Sequence, residues 1–253
     1  MTAAISQGAP FWADANAADI AGDQDFYTGL FGWTPEDLGP EMGHYRVMSL
    51  PDGRHVAGLA PNRPESPDSP AVWTLSFKVA DCAASTTLAR DLGGSVVMGI
   101  TDLGDLTFSL VEDPQGEMFG IVEHGGGDFG FQASHERSAP VWFSYGAPGD
   151  PVDAMRYYID LFGWRSRSSP MPDGGTILEM TAPEESGAFC SVRTVAAGES
   201  PHWTVFWGAE SVPRTVDRAV ALGGSVVVPA SPSPASTWAV LASPAGSVFG
   251  VMD

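Results

Sequence analysis

The stretch DPQGEMFGIVE, Asp113–Glu123, decides the fold, because a similar stretch, SPAGSVFGVMD, ends the chain at Ser243–Asp253. The hexapeptide LGGSVV also occurs twice, starting at Leu92 and at Leu222, and its copies have the same separation as the first pair. Similarity at one fixed period is typical of an internal duplication. The chain is therefore predicted to consist of two homologous halves.

Each half is predicted to contain two smaller units of the same order. In the first unit, the pattern predicts a short strand over 11–16 and then a helix over about 19–31. This helix ends at Gly32, which is suited to the left-handed cap position. Two strands follow around the turn at 51–53. The second unit repeats this order, so the sequence predicts an α+β fold with strand, helix and three strands occurring four times.

The same comparison of the halves places the domain boundaries. We expect a first domain over 8–124, a second over 138–253, and a linker over 125–137 that contains the glycine-rich stretch GGGDFGF. Both halves also carry the ending LFGW, in FYTGLFGW from Phe26 and in YYIDLFGW from Tyr157, with a separation that is one residue longer than that of the other motifs. The tryptophans after the capping glycines, Trp33 and Trp164, are expected to pack in the core or between units.

Composition excludes several classes of function. The 253 residues include 12 basic and 31 acidic ones, for a net charge of −19, which repels nucleic acid and anionic membranes. Such a charge suits a cationic small ligand, and it also keeps a protein soluble. No apolar run approaches a membrane span, and the N-terminus lacks a secretory pattern, so a cytoplasmic location is expected. Cys82 and Cys190 are expected to be buried thiols, with a disulfide left open as the alternative.

The duplicated motifs resemble a known superfamily. DIAGDQDFYTGLFGW with DPQGEMFGIVE in one half, and DPVDAMRYYIDLFGW with SPAGSVFGVMD in the other, are similar to the vicinal oxygen chelate superfamily of glyoxalases, bleomycin-resistance proteins and extradiol dioxygenases. The resemblance implies four βαβββ units that form two tandem glyoxalase/bleomycin-resistance-type domains. It is greatest to a two-domain actinobacterial subgroup often labelled hydroxylase or glyoxalase-like, which includes polyketide-pathway members. This fold carries several chemistries, including metal-free drug binding.

The resemblance also implies where a metal would be held, at the bottom of a cup formed by each pair of units. The corresponding positions in this chain are Trp12, Thr74 and Glu123 in the first half and Phe143, Thr204 and Asp253 in the second. Trp and Phe do not ligate metals, Thr does so poorly, and a stable site needs about three protein ligands. We therefore expect no metal. The alternative is a divalent metal held by Glu123 together with His44 or His55.

Strand alternation predicts which side chains line the two cups. For the first cup they are Trp12, Asp14, Thr74, Ser76, Lys78, Phe119 and Glu123. For the second cup they are Phe143, Tyr145, Thr204 and Phe206, with Phe249 and Val251 alongside. Apolar and aromatic walls with a few polar groups are typical of small-molecule sites, and flat aromatic ligands stack well on them.

Each candidate also has a structural interpretation. Trp12 and Phe143 are alternatively plugs of a collapsed cup, and Glu123 is alternatively an exposed residue at a strand end. Asp14 is expected either to pair with Lys78 or to act as a base.

The leading hypothesis is metal-free binding of a small aromatic or polycyclic molecule, either to sequester an antibiotic or to assist a tailoring step. The alternative is a metal-dependent enzyme, either a glyoxalase-like lyase or a dioxygenase or hydroxylase. A third interpretation is a structural or signalling partner with filled cups. No serine-nucleophile motif and no recognisable Cys–His pair is present. Because duplication lets the halves pack on each other, a monomer or loose homodimer is expected.

Overall fold

The computed structural model describes residues 5–62, 66–126, 129–170, 176–196, 198–233 and 236–253. These residues form four successive βαβββ units, which confirms the α+β organisation predicted from the duplication. The first two units contain β1 (Pro10–Ala17), α1 (Ile20–Phe31), β2 (Thr34–Asp37), β3 (Arg46–Ser49), β4 (His55–Pro61), β5 (Val72–Val79), α2 (Cys82–Asp91), β6 (Ser95–Asp102), β7 (Leu106–Glu112) and β8 (Met118–His124). The last two contain β9 (Pro140–Ala147), α3 (Pro151–Phe162), β10 (Arg165–Pro170), β11 (Thr176–Thr181), β12 (Cys190–Thr194), β13 (His202–Gly208), α4 (Val212–Ala221), β14 (Ser225–Pro232), β15 (Thr237–Ala242) and β16 (Val248–Met252).

The strands form two eight-stranded mixed sheets, one from each half of the sequence. Their orders are β2-β3-β4-β1-β5-β8-β7-β6 and β10-β11-β12-β9-β13-β16-β15-β14. In both sheets the first strand of each βαβββ unit runs parallel to the last strand of the same βαβββ unit, as β1 does to β4 and β5 to β8. The other pairings within a unit are antiparallel. The two orders are identical once the numbering is shifted by eight strands, so the duplication extends to topology.

Local signals set the ends of the helices. Asp19, Asp81 and Asp150 accept backbone N–H groups at the starts of α1, α2 and α3, which satisfies donors that a helix leaves free. Gly32 and Gly163 end α1 and α3 with φ of 75° and 73°. In this left-handed conformation a side chain is disfavoured, so the glycine after each LF pair is a requirement of the backbone.

Packing divides the chain into two compact bodies, called unit 1 and unit 2 below, which are distinct from the four βαβββ units. Each of the two takes segments from both halves of the sequence. Unit 1 holds Met1–Phe11, Thr74–Phe129 and Phe143–Trp203, and unit 2 holds Trp12–Trp73, Gly130–Trp142 and Thr204–Asp253. Helices α2 and α3 contact each other in unit 1, and α1 and α4 do so in unit 2. Part of the predicted linker therefore belongs to unit 2.

The core of unit 1 is built from aromatic rings. Trp164 stacks on Tyr158 with ring centroids 5.5 Å apart, and it lies 5.1 Å from Phe77. Its indole N–H donates to the carbonyl oxygen of Gly8 at 2.6 Å. The tryptophan after the capping glycine is thus a core residue with a satisfied polar atom.

The core of unit 2 repeats this arrangement. Trp33 lies 4.9 Å from Trp207 and 4.8 Å from Phe31, measured between ring centroids. Its indole N–H donates to the carbonyl oxygen of Ser138 at 2.7 Å. The expectation that Trp33 and Trp164 pack in the interior is confirmed in each unit.

Two further expectations concern the whole chain. Cys82 and Cys190 are free and buried, as predicted. No helix within the described ranges is both long and apolar enough to cross a membrane.

Candidate functional site

A hydrogen-bonded cluster of two rings and a carboxylate lies in unit 2. Trp12 and Asp14 project from the same face of β1, because they alternate with the fully buried Ala13 and Ala15. The indole N–H of Trp12 donates both to the Tyr45 hydroxyl, at 2.6 Å, and to Asp14 Oδ1, at 3.0 Å. The Tyr45 hydroxyl donates to the same carboxylate oxygen. We call Trp12, Asp14 and Tyr45 the β1 cluster.

Gly58 makes room for this cluster. It lies opposite Asp14 in the parallel pairing of β1 with β4 and opposite Val47 in the pairing of β4 with β3. A Cβ atom at this position would overlap the Tyr45 hydroxyl and the Asp14 carboxylate. Space, rather than an unusual backbone angle, therefore demands glycine here.

The carboxylate of Asp14 is the most unusual group of the cluster. Burial raises its pKa from 3.8 to about 6, although the hydrogen bonds from Tyr45 and Trp12 oppose the rise. Its hydrogen bonds come from an indole and a phenol rather than from a cation. Oδ2 has no hydrogen-bond partner within the described ranges, yet it is not sealed in the interior. A partly buried carboxyl group with one free oxygen and a pKa near neutrality is typical of a functional position.

Residues after the first half of the sequence complete the wall beside Trp12. The ring of Phe131 lies 5.6 Å from that of Trp12. Phe131 is held in place by its neighbour, because Gln132 exchanges hydrogen bonds with the backbone of His55. An aromatic wall and a carboxylate therefore share one side of the strand.

Unit 1 presents a second polar face, and the structure places Thr74, Ser76 and Lys78 on it together. They alternate along β5 with Phe77, whose ring packs into the core of unit 1. Ser76 pairs with Gly120 of β8, and its hydroxyl occupies the space that a side chain at Gly120 would need. The same pairing puts Lys78 beside Val122.

His124 lies on the same face of β8, two residues beyond Val122, and it was not among the predicted site residues. Burial and, to a lesser extent, the charge of Lys78 lower the pKa of His124. Alternation alone could not have included it, because the sequence prediction turned Phe119 and Glu123, and so the opposite face of β8, toward the cup.

Phe119 and Glu123 lie on the opposite face from the one expected. The parallel register pairs Val79 with Glu123 and Phe77 with Ile121, so β8 turns these side chains toward the helix. Phe119 lies 6.0 Å from Phe77 between ring centroids, and Glu123 accepts the backbone N–H of Cys82 at the start of α2. The expectation that they line the first cup is wrong, because the register of β8 relative to β5 is not visible in either strand alone.

Phe143 and Tyr145 are displaced in the same way. Phe143 follows Trp12 by the separation of the two LFGW endings, whereas strands β1 and β9 follow the shorter separation of the other repeated motifs. The Tyr145 hydroxyl donates to Asp113 at 2.7 Å inside unit 1, and its ring lies 5.6 Å from that of Tyr158 on α3. A shift of one residue along a strand reverses every side chain, so Phe143 and Tyr145 face the helix. Ser144, between them, faces the other way.

Thr204 and Phe206 lie on the face away from α4, since they alternate with Val205 and Trp207 of the unit 2 core. The ring of Phe206 covers Gly250, its partner across the parallel pairing with β16.

The other residues expected beside Thr204 and Phe206 lie elsewhere. Phe249 and Val251 face the core, and Phe249 lies 5.6 Å from Tyr27 between ring centroids. The C-terminal Asp253 is not a cup residue either, because it exchanges hydrogen bonds with the backbone of Thr237.

The chemistry of the described side chains does not fit a metal centre. Within the described ranges no three His, Cys, Asp or Glu residues are grouped as a metal site requires. Glu123 caps α2, and His44 lies 3.2 Å from Asp37 on an exposed turn of unit 2. The alternative ligand set of Glu123 with His44 or His55 is therefore not supported by a third donor.

Comparison with known families matches both halves. The model of the Glyoxalase/Bleomycin resistance protein/Dioxygenase superfamily matches residues 12–121, and a glyoxalase-like domain matches residues 147–252. The anthracycline biosynthesis protein DnrV of Streptomyces peucetius is 32% identical, over 98% of this chain and 94% of that protein. The putative glyoxylase CFP32 of Mycobacterium tuberculosis is 28% identical, over 97% of this chain and 95% of that protein.

Solved structures share the fold at low sequence identity. The 2,3-dioxygenase LapB from Pseudomonas sp. KL28 aligns with a TM-score of 0.64 at 14% identity, covering 98% of this chain and 93% of that one. The Mn(II)-bound glyoxalase from Novosphingobium aromaticivorans aligns with a TM-score of 0.66 at 13% identity, covering 98% and 83%. At this identity the likeness extends to architecture, not to the residues of a site.

Proposed function

Because the chain belongs to the glyoxalase/bleomycin resistance protein/dioxygenase superfamily, we propose that it binds a small aromatic or polycyclic molecule without a metal, at the β1 cluster. The role would be to sequester a natural product or to assist a tailoring step. One observation carries the proposal: Asp14 holds a free carboxylate oxygen beside the rings of Trp12 and Tyr45.

The cluster offers both parts of recognition that such a ligand needs. A flat ring system gains area and stacking energy against aromatic side chains. Oδ2 of Asp14 accepts a hydrogen bond from a hydroxyl or ammonium group of the ligand, and charge-assisted bonds of this kind are among the stronger ones. The anthracycline biosynthesis relative supports the class of ligand, since anthracyclines are polycyclic aromatic compounds with hydroxyl groups.

The same geometry supports a tailoring role. A carboxyl group with a pKa of about 6 exchanges protons readily at neutral pH, so Asp14 is suited to accept a proton from a bound phenol or activated C–H group. The Tyr45 hydroxyl would orient the carboxylate, because it holds the other oxygen. Binding and proton transfer thus use one carboxylate.

The test is a titration with a dihydroxyanthraquinone, followed by tryptophan fluorescence and calorimetry. In Gly58→Ala the added Cβ atom displaces the Tyr45 hydroxyl and the Asp14 carboxylate, although neither of these two residues is itself substituted. We expect it to weaken binding about tenfold, which corresponds to roughly 1.4 kcal/mol. Gly99→Ala is the matched control, since Gly99 is also a strand glycine and a Cβ there meets nothing within 4 Å.

Equal affinities for the two glycine variants would refute binding at the β1 cluster. A pH series adds a second readout, because an ionised Asp14 is the better acceptor. Affinity should rise from about pH 5 to pH 7, and Asp14→Asn should abolish that rise.

The metal-dependent lyase or oxygenase is tested by native mass spectrometry of protein purified without chelators. A mass increase of one metal ion per chain would favour it over the metal-free binder. The same spectrum measures the oligomeric state, for which we propose a monomer or loose homodimer.

A further inference from the structure

Three arginines meet at a cavity in unit 2, away from β1. The cavity has a volume of about 370 Å³ and lies between the end of α1, the segment at 137–138 and the stretch 208–218. Arg137, Arg214 and Arg218 line it. They are a quarter of the 12 basic residues of a chain whose net charge is −19, so their convergence on one cavity is unlike the rest of the composition.

The wall of the cavity is held by hydrogen bonds within unit 2. Ser138 has a φ of 61°, and its hydroxyl donates to the carbonyl oxygen of Phe31 at 2.9 Å. Its backbone N–H donates to the carbonyl oxygen of Gly208 at 2.8 Å, and its own carbonyl oxygen accepts the indole N–H of Trp33. A side chain at Gly208 would collide with the backbone of Glu136. The segment that carries Arg137 is therefore fixed against the core.

The positive charge at the cavity is only partly compensated. Glu210 is the one carboxylate among the described lining residues, and it faces Arg137 at 3.0 Å and Arg214 at 3.6 Å. Arg218 uses its Nε to donate to the carbonyl oxygen of Gly29, which leaves its two terminal nitrogens without a partner in the described part of the chain. Three guanidinium groups and one carboxylate leave an excess of two positive charges.

We propose that this cavity binds the oxyanion of a small organic molecule, a phosphate or carboxylate carried on an apolar body. Guanidinium groups present paired donors that match both oxyanions in a planar fork. Leu30 and Phe31 supply an apolar side to the same cavity. A volume of about 370 Å³ lies within the range of small-molecule sites, so the cavity has room for an organic body beside the oxyanion. The site does not depend on the ligand proposed for the β1 cluster.

Glu210 gives the proposal a sharp test, because it competes with the ligand for Arg137 and Arg214. Calorimetric titrations at fixed ionic strength with phenyl phosphate, benzoate and uncharged phenol would compare the wild-type protein with Glu210→Gln. We expect phenyl phosphate or benzoate to bind, phenol not to bind, and Glu210→Gln to tighten anion binding severalfold. The relative affinity of the two anions then identifies the preferred oxyanion.

Arginine variants provide the opposite perturbation. Arg214→Gln with Arg218→Gln should weaken binding of phenyl phosphate at least about tenfold, because charge-assisted hydrogen bonds are lost. The matched control is Arg90→Gln with Arg156→Gln, which removes the same charge from exposed positions of unit 1.

If both arginine double variants weaken the binding of phenyl phosphate equally, the loss is explained by net charge alone and the proposed site is overturned. Phenol that binds as tightly as phenyl phosphate would overturn it too, and so would a Glu210→Gln protein with unchanged affinity. The comparison of Glu210→Gln with the wild type leaves the hydrogen bond from Arg218 to Gly29 intact. It therefore remains decisive if the Arg214→Gln and Arg218→Gln double variant destabilises the fold.

Discussion

Glu117 should make the stability of the protein depend on pH in a direction that is unusual for a carboxylate. It lies in unit 1 beside Asp113, and it accepts the backbone N–H of Trp203 at 2.8 Å. Burial, and secondarily the charge of Asp113, raise its pKa from 4.5 to about 8, against the effect of that hydrogen bond. The folded protein therefore keeps a proton that the unfolded chain releases.

The sign follows from proton binding. Between about pH 4.5 and pH 8 the folded state holds more protons than the unfolded one, so stability falls as pH rises. A difference of one pH unit in this window costs about 1.4 kcal/mol. From pH 5 to pH 8 the cost accumulates to roughly 3 kcal/mol, since the unfolded glutamate is still partly protonated at the lower pH and the folded one is partly ionised at the higher.

Glu117→Gln removes the ionisation while keeping an oxygen that accepts the N–H of Trp203. The quantity to compare is the free energy of unfolding of the variant minus that of the wild type. We expect this difference to increase by about 3 kcal/mol from pH 5 to pH 8. Urea unfolding followed by tryptophan fluorescence at four pH values measures the difference. Glu112→Gln, in the same hairpin of unit 1, is the baseline for removing a carboxylate.

A stability difference between Glu117→Gln and the wild type that does not change with pH would refute this reasoning. It would mean that Glu117 is ionised in the folded state at neutral pH and that burial does not govern its titration. A difference of the opposite sign, with the variant less stable at pH 8, would show that the hydrogen bond to Trp203 outweighs burial.

Three further predictions follow from local contacts. Asp14→Asn should remove a loss of stability of roughly 2 kcal/mol that the wild type suffers as pH rises from about 4 to about 6, because the folded pKa of Asp14 is about 6. Unfolding of both proteins across that range measures it, and parallel curves would contradict it. Gly163→Ala should lower the free energy of unfolding by about 1 kcal/mol, since φ is 73° there. Gly187→Ala, at an unhindered position, should change it little, and equal effects in thermal unfolding would rule out the left-handed cap. Cys82 and Cys190 should resist a thiol reagent in the folded protein and react fully in denaturant, because both are buried and burial raises the pKa of each thiol. Rapid labelling of the native protein would contradict their placement.

Repetition and helix endings underlie the prediction of the fold. Two copies of a motif at one separation imply two homologous halves, and a glycine after LF implies a left-handed cap whatever the surroundings are. Gly32 and Gly163 confirm the second point at both positions. These features are local in sequence or repeat along it, so no long-range contact was needed to interpret them.

The candidate site was only partly predictable, because strand register is a relation between distant segments. Alternation along β1 correctly put Trp12 and Asp14 on one face. Tyr45, the hydrogen-bond partner of Asp14, was not among the predicted site residues, because its sequence neighbours do not connect it to β1. Gly58 provides the space that joins them, and that space exists only when β4 lies between β3 and β1.

By itself, the sequence determined that the chain is duplicated, that each half contains two βαβββ units, and that few residues of metal-binding type occupy the expected positions. Only the tertiary structure decided which face of each strand meets the helices, and it reversed Glu123 and Tyr145. It also brought three arginines from separate segments to one cavity. The physical reason is that a strand has a period of two, so a one-residue change of register exchanges its faces, and register is set by pairing between strands rather than within them.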